Sequence, residues 1–435
     1  MTPTQTTEDR RGQREDPTRE EQRAALVRLG LILLGAAVAT VVAGVTTTVA
    51  VVLAIILMIM LHELGHFVTA KWAGMKVTEF FLGFGPRLWS VRKGETEYGV
   101  KAIPAGGYVK IIGMSNLDKV DPADEDRTYR QKPYWRRLSV AVAGSTVHFI
   151  LAFLLLWTIF TVVGVPDFDR PLAEVGSISR LESGPSPAEQ AGLKVGDRLL
   201  TVDGQPVNEW NDVPRYIRAH PGQPIRFGVE RDGRRLELVG TPLDLSKVDV
   251  GDIADADRPT EPTGFLGIGS AYAIERLGPV EALGRSATGV GRASVETVKA
   301  LGTIFSPNGA TSYGRLLTGG GGEPSSPDDP RFLSPVGFVR VASQAADTGL
   351  REVLGLLFSI NVFVGLFNMI PLLPLDGGHV AIATYERLRS RRGRRYHADV
   401  AKAMPVYYMV FLMIIFLGVT SLYLDIVRPI ANPFE

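Results

Sequence analysis

The run His62-Glu63-Leu64-Gly65-His66 places two imidazoles and a carboxylate within five consecutive residues. On a helix, a spacing of four brings His62 and His66 onto one face, where a ring nitrogen from each can reach a single metal ion. Glu63 between them is then the natural general base for a water molecule at that metal. The thirteen residues before the motif, Val49 to Leu61, carry no polar side chain. Ionisable groups at the end of so apolar a run are expensive in lipid and point to a site. The competing reading is a helix end with two solvated histidines and an incidental glutamate. The 435 residues include no cysteine, so a metal would have to be held by His, Asp or Glu.

A catalytic tetrahedral zinc site takes three protein ligands and a water, so the pair of histidines leaves one ligand to find. A later apolar run ends in Asn368-Met369-Ile370-Pro371-Leu372-Leu373-Pro374-Leu375-Asp376-Gly377-Gly378-His379. Asp376 follows a proline-broken helix end, where freed backbone can line a cavity rather than face lipid. It is either the third ligand or a helix cap or turn former with Gly377.

The elements that must position these residues are mostly apolar. Hydrophobic content of 45% and a mean hydropathy of +0.11 describe membrane segments joined to polar modules. The balance of 47 basic and 46 acidic residues gives no case for a nucleic-acid partner. Residues 1–23 read as a disordered polar tail, too long and too polar to lead a secretory signal peptide. The hydrophobic stretch that follows exceeds one span, which predicts a candidate extra transmembrane helix at 24–46 and a transmembrane helix with the histidine motif at 48–70. Further spans are predicted at 138–165, 353–375 and 404–424. The loop 71–137 is glycine-rich and suits membrane-associated β-hairpins; it holds 13 Lys or Arg. The loop 376–403 is also basic. The positive-inside rule puts both loops in the cytoplasm, with the two candidate site segments on that side and 166–350 outside. Within 273–350, Pro279 to Ile304 reads as an amphipathic helix, at the membrane surface or as a packing helix, and 319–330 as a flexible linker.

Ser186-Pro187-Ala188-Glu189-Gln190-Ala191-Gly192-Leu193-Lys194-Val195-Gly196-Asp197, followed by Val202-Asp203-Gly204, resembles the PDZ fold and predicts one such domain over 166–272. That resemblance implies a groove for a peptide or chain terminus. The histidine motif in a first core span, Asn-x-x-Pro followed by Leu-Asp-Gly in a later one, and a PDZ module between them resemble the site-2 protease family of intramembrane zinc metalloproteases. The RseP-like bacterial branch, and actinobacterial members within it, are nearest. Gly83-Phe84-Gly85-Pro86 and Glu97 through Tyr108 also look like that family's membrane-associated β-region.

The resemblance implies a polytopic α-helical membrane protein with four core spans, a β-region and an extracytoplasmic PDZ domain, in a bacterial plasma membrane. It implies His62, His66 and Asp376 as Zn2+ ligands and Glu63 as base. Asn368 and Pro371 would contact substrate or support the site. It implies cleavage of single-pass membrane proteins, such as anti-sigma factors or remnant signal peptides, after a first cut outside. Three departures stand out. The second core span reads Gly144-Ser145-Thr146-Val147-His148 where the family has Gly-Pro and an Asn four residues after the Gly, making His148 a candidate metal or substrate contact. There is one PDZ-like module rather than a pair, and the segment at 24–46 lies outside the four-span core. Two rivals from other classes are a metal transporter, which repeated helices would signal, and a non-catalytic receptor, which would tolerate loss of Glu63.

Overall fold

The computed structural model describes residues 19–114, 118–179, 181, 184–247, 259–318, 332–390, 396–430 and 432–434. Of the expected disordered tail 1–23, residues 1–18 lie outside them and 19–23 are instead helical, while the linker 319–330 and the basic residues Arg391, Arg392, Arg394 and Arg395 also lie outside. The chain divides into two compact units, 1–159 with 279–435, and 160–278.

The apolar stretch that opens the first unit forms two helices, α1 (Arg19–Val42) and α2 (Thr46–Trp72), broken where Gly44 takes φ 69°, a left-handed conformation that glycine adopts without steric cost. The histidine motif thus lies inside α2 rather than at its end. Two long strands follow, β1 (Val77–Lys93) and β2 (Thr96–Ile111). Each bends at bulges, so Phe81 pairs both with Tyr108 and with Gly99, while, among the described residues, 107–111 pair as a strand with 77–82 alone. The hairpin turn is tied to the end of α2, since Glu95 meets Lys71 at 2.6 Å and Arg127 at 2.7 Å. The Arg127 guanidinium, and then Lys71, draw the Glu95 carboxyl down to about 2 against its desolvation.

The expected 138–165 span is two helices, α3 (Tyr134–Ala141) and α4 (Ala143–Thr158), and the second is continued by a π-helical turn to Val163. The span proper begins at Ala143. Within α3, Arg137 is buried and meets Glu386 at 2.6 Å.

The second unit is built on an antiparallel sheet. Strand β3 (Val165–Ile178) leads to a short helix α5 (Pro187–Gln190), capped by Ser186, then β4 (Arg198–Val202) and β5 (Gln205–Pro206). Helix α6 (Asp212–Ala219) precedes the hairpin β6 (Ile225–Arg231) and β7 (Arg234–Gly240), the two-residue strands β8 (Leu243–Asp244) and β9 (Gly264–Phe265), and β10 (Ile268–Glu275). The main sheet runs β10-β3-β4-β6-β7, leaving β10 as an edge. Leu199, Phe227, Val213, Ile217 and Trp210 fill its core.

Four helices return the chain towards the site: α7 (Pro279–Ile304), α8 (Pro307–Thr318), α9 (Pro335–Thr348) and α10 (Leu350–Phe367). Helix α7 packs against α4 and α10. Helices α8 and α9 fall where only a connecting region is expected, and α9 joins Val51, Met58 and Leu357 in a buried cluster through Ala342. The expected 353–375 span ends at Phe367, because eight residues of turns with two prolines intervene before α11 (Asp376–Arg389). The segment expected as a basic loop at 376–403 is therefore partly helical, and α12 (Met404–Val427) closes the fold.

Among the described residues, four helices are long and apolar enough to cross a membrane: Thr46–Trp72, Ala143–Val163, Leu350–Phe367 and Val400–Val427. The apolar part of α1, Leu26–Val42, is shorter. Glu386 on α11 also accepts the Ala398 amide at 2.7 Å. Removing one partner of a buried ion pair strands the other, so Glu386→Gln should lower stability by about 3–5 kcal/mol. The check is the unfolding midpoint of the purified protein.

Candidate active site

Helix α2 presents His62 and His66 on its buried face, 7% and 4% exposed. Asp376 is the first helical residue of α11 and makes no side-chain cap there; its carboxylate turns to the two histidines instead. The turn before it is held by the Gly377 amide, which donates to the Asn368 carbonyl at 2.7 Å. A Cβ at Gly377 would come within 2.3 Å of the Met369 and Ile370 carbonyls, so only glycine allows the chain to fold back this tightly.

The three candidate ligand atoms form a compact triangle. His62 Nε2 and His66 Nε2 are 3.2 Å apart, and Asp376 Oδ2 lies 3.3 Å from the first and 3.1 Å from the second. Ligands at about 2.0–2.1 Å from a tetrahedral ion sit roughly 3.3 Å from each other, so these edges match a zinc site. Tautomers agree with that geometry. His66 Nδ1–H donates to the Val140 carbonyl at 2.7 Å, leaving a lone pair on Nε2. Among the described residues this is the one group of His, Asp or Glu side chains gathered for a metal.

Glu63 is next to the triangle but outside it. It faces β2, where a Cβ at Gly107 would stand 3.3 Å from its Cγ and 2.8 Å from Met60 Sδ. The sheet edge at 107–111 therefore runs past the candidate base. Gly144 on α4 supports the other side: a Cβ there would lie 2.3–2.5 Å from three atoms of the His62 ring. Gly65 lets the two helices meet, with Val147 Cγ2 and the Ala143 carbonyl at 2.9 and 3.0 Å from a Cβ placed on it.

The remaining expected residues are placed differently. His148 is buried beside His62, ring centroids 5.0 Å apart, but its Nδ1 engages Asn361 Oδ1 at 2.8 Å and it is outside the ligand group. Asn368 contributes its backbone carbonyl to the turn, and Pro371 is exposed in that turn. Sequence patterns do not single out Asn361, Val140 or Gly107. The only available signals are a polar residue in an apolar span for Asn361 and glycine in a strand for Gly107.

A triad of this kind with a carboxylate beside it, on helices apolar enough to cross a membrane, fits the class of membrane metallopeptidases. The model for peptidase family M50 matches residues 50–415, and the chain belongs to that family. It is 34% identical to the zinc metalloprotease Rip1 of Mycobacterium tuberculosis (strain H37Rv) over 400 residues, 86% of this chain and 95% of the relative. It is 33% identical to Rip1 of Mycolicibacterium smegmatis over 399 residues, again 86% and 95%. A putative zinc metalloprotease of Rhizobium meliloti is 30% identical over 385 residues, 85% and 93%. The protein is thus a peptidase of the site-2 protease family and a multi-pass membrane protein, which sets aside the transporter.

Proposed function

We propose that the chain is an intramembrane zinc endopeptidase that cuts the membrane segment of single-pass proteins after a first cut has removed their outer domain. The observation that carries this reading is the 3.1–3.3 Å triangle of His62, His66 and Asp376 with Glu63 beside it. The names of the relatives support zinc as the metal. His62 Nε2, His66 Nε2 and Asp376 Oδ2 hold it. When bound, zinc supplies a Lewis acid that acidifies water and polarises a carbonyl. Glu63 takes the water proton and delivers it to the leaving amine. Asn368 and Pro371 support the site through the turn that aims Asp376.

A membrane helix hides its carbonyls in hydrogen bonds, so the substrate must be unwound before attack. The segment 107–111, which pairs with 77–82 and lies beside Glu63, holds the peptide extended as an added strand. The 166–272 unit is a PDZ domain; its order of strands and helices and its edge strand β10 support that reading. It takes a peptide or chain terminus and tests whether the substrate has been clipped. The basic residues at 71–137 and 376–403 support a bacterial plasma-membrane topology with the site towards the cytoplasm and the PDZ domain outside. Anti-sigma factors and remnant signal peptides have the required single-pass form.

The test compares one tagged single-pass protein in two forms, with its outer domain intact or truncated, co-expressed with the enzyme. The truncated form should be cut within its membrane segment and the intact form spared. Equal cutting of both removes the requirement for a first cut, and no cutting of either contradicts the substrate class.

A further inference from the structure

A metal-bound histidine that uses Nε2 keeps a proton on Nδ1, and an acceptor for that proton fixes the ring and strengthens the ligand. For His66 the acceptor is the Val140 carbonyl. His62 Nδ1 is buried and has no hydrogen-bond partner among the described residues. The His62 ring lies against α4 over Gly144, and one helical turn further along α4 stands His148, 1% exposed. The two ring centroids are 5.0 Å apart, a separation from which rotation of either ring brings facing nitrogens to hydrogen-bond distance.

Asn361 decides what His148 offers. Its Nδ2 donates to the Leu357 carbonyl at 2.8 Å and points at Met58 Sδ at 3.3 Å, so Oδ1 is the atom turned to His148 Nδ1. An amide oxygen only accepts, so His148 carries its proton on Nδ1 and has a free lone pair on Nε2.

We propose that His148 Nε2 is the acceptor for His62 Nδ1–H, directly or through one water. Asn361, His148 and His62 then form a directed relay that holds the His62 Nε2 lone pair on the metal. His148 is a positioning residue and touches neither metal nor substrate. The inference rests on the metal-site reading above.

The test is zinc affinity of the full-length protein in detergent, measured by competition with a chromophoric chelator. His148→Leu fills the space without an acceptor and should weaken zinc binding about 10–100-fold. His148→Gln restores an acceptor and should recover most of that loss. Asn361→Leu frees the His148 tautomer and should give a smaller loss than His148→Leu. The unfolding midpoint of the zinc-free protein, measured for each variant, reads any general loss of fold. Wild-type affinity in His148→Leu overturns the relay, as does an equal loss in His148→Gln. Failure of the metal site itself is distinguishable, because it would show as unchanged affinity in Asp376→Asn.

Discussion

Glu63→Gln should lower the rate of peptide cleavage by about 10²–10⁴-fold while zinc remains bound. The amide keeps the shape of the side chain but cannot take a proton from water. Glu63 is outside the triangle of ligand atoms, whose edges of 3.1–3.3 Å are closed by His62, His66 and Asp376 alone. Under the proposed mechanism, loss of the carboxylate removes proton transfer and leaves the ligand set whole. Single-turnover cleavage of a truncated single-pass substrate, with zinc content measured on the same preparation, separates the two effects. Cleavage at the wild-type rate would place the base elsewhere. Loss of zinc together with activity would make Glu63 a ligand.

The second large effect should come from one methyl group. In Gly144→Ala the new Cβ would fall 2.3 Å from His62 Cε1 and 2.5 Å from both ring nitrogens. The obstacle is a ring held at the site, so either His62 or the whole of α4 must move. A displacement of about 1 Å in a reacting constellation costs on the order of 10² in rate. We expect Gly144→Ala to lose activity on that scale and to bind zinc more weakly. Gly418→Ala, on α12 with open space around it, serves as the matched control and should be neutral. Equal behaviour of the two variants in cleavage and zinc titration would contradict the packing of α4 on His62.

These two predictions mark what the sequence could and could not convey. His62 and His66 are legible because helical spacing alone puts them on one face. Asp376 is legible only through topology, since 310 positions separate it from His66 and several spans must fold to join them. Gly144 is legible only as the glycine of the second-span pattern; that it packs against the His62 ring is hidden until the neighbouring helix is known. Asn368 suggests a side-chain role by its type, yet the structure uses its backbone carbonyl, which any residue would supply. The end of α10 at Phe367 is hidden because the following turns keep an apolar composition, Met369 through Pro374. Helices α8 and α9 were likewise obscured by glycine, proline and small residues that read as linker, although Ala342 and Ala345 are fully buried. In the β-region the glycines and aromatics announce strands, but the double pairing of Phe81 depends on bulges that leave no periodic trace.

The central claim is that three side chains from two distant segments make one zinc site. Zinc content of the purified full-length protein, wild type against Asp376→Asn, tests it most directly after dialysis against a competing chelator. One zinc per chain in the wild type and its loss in the variant are predicted. Retention of a full zinc equivalent by Asp376→Asn would contradict the account.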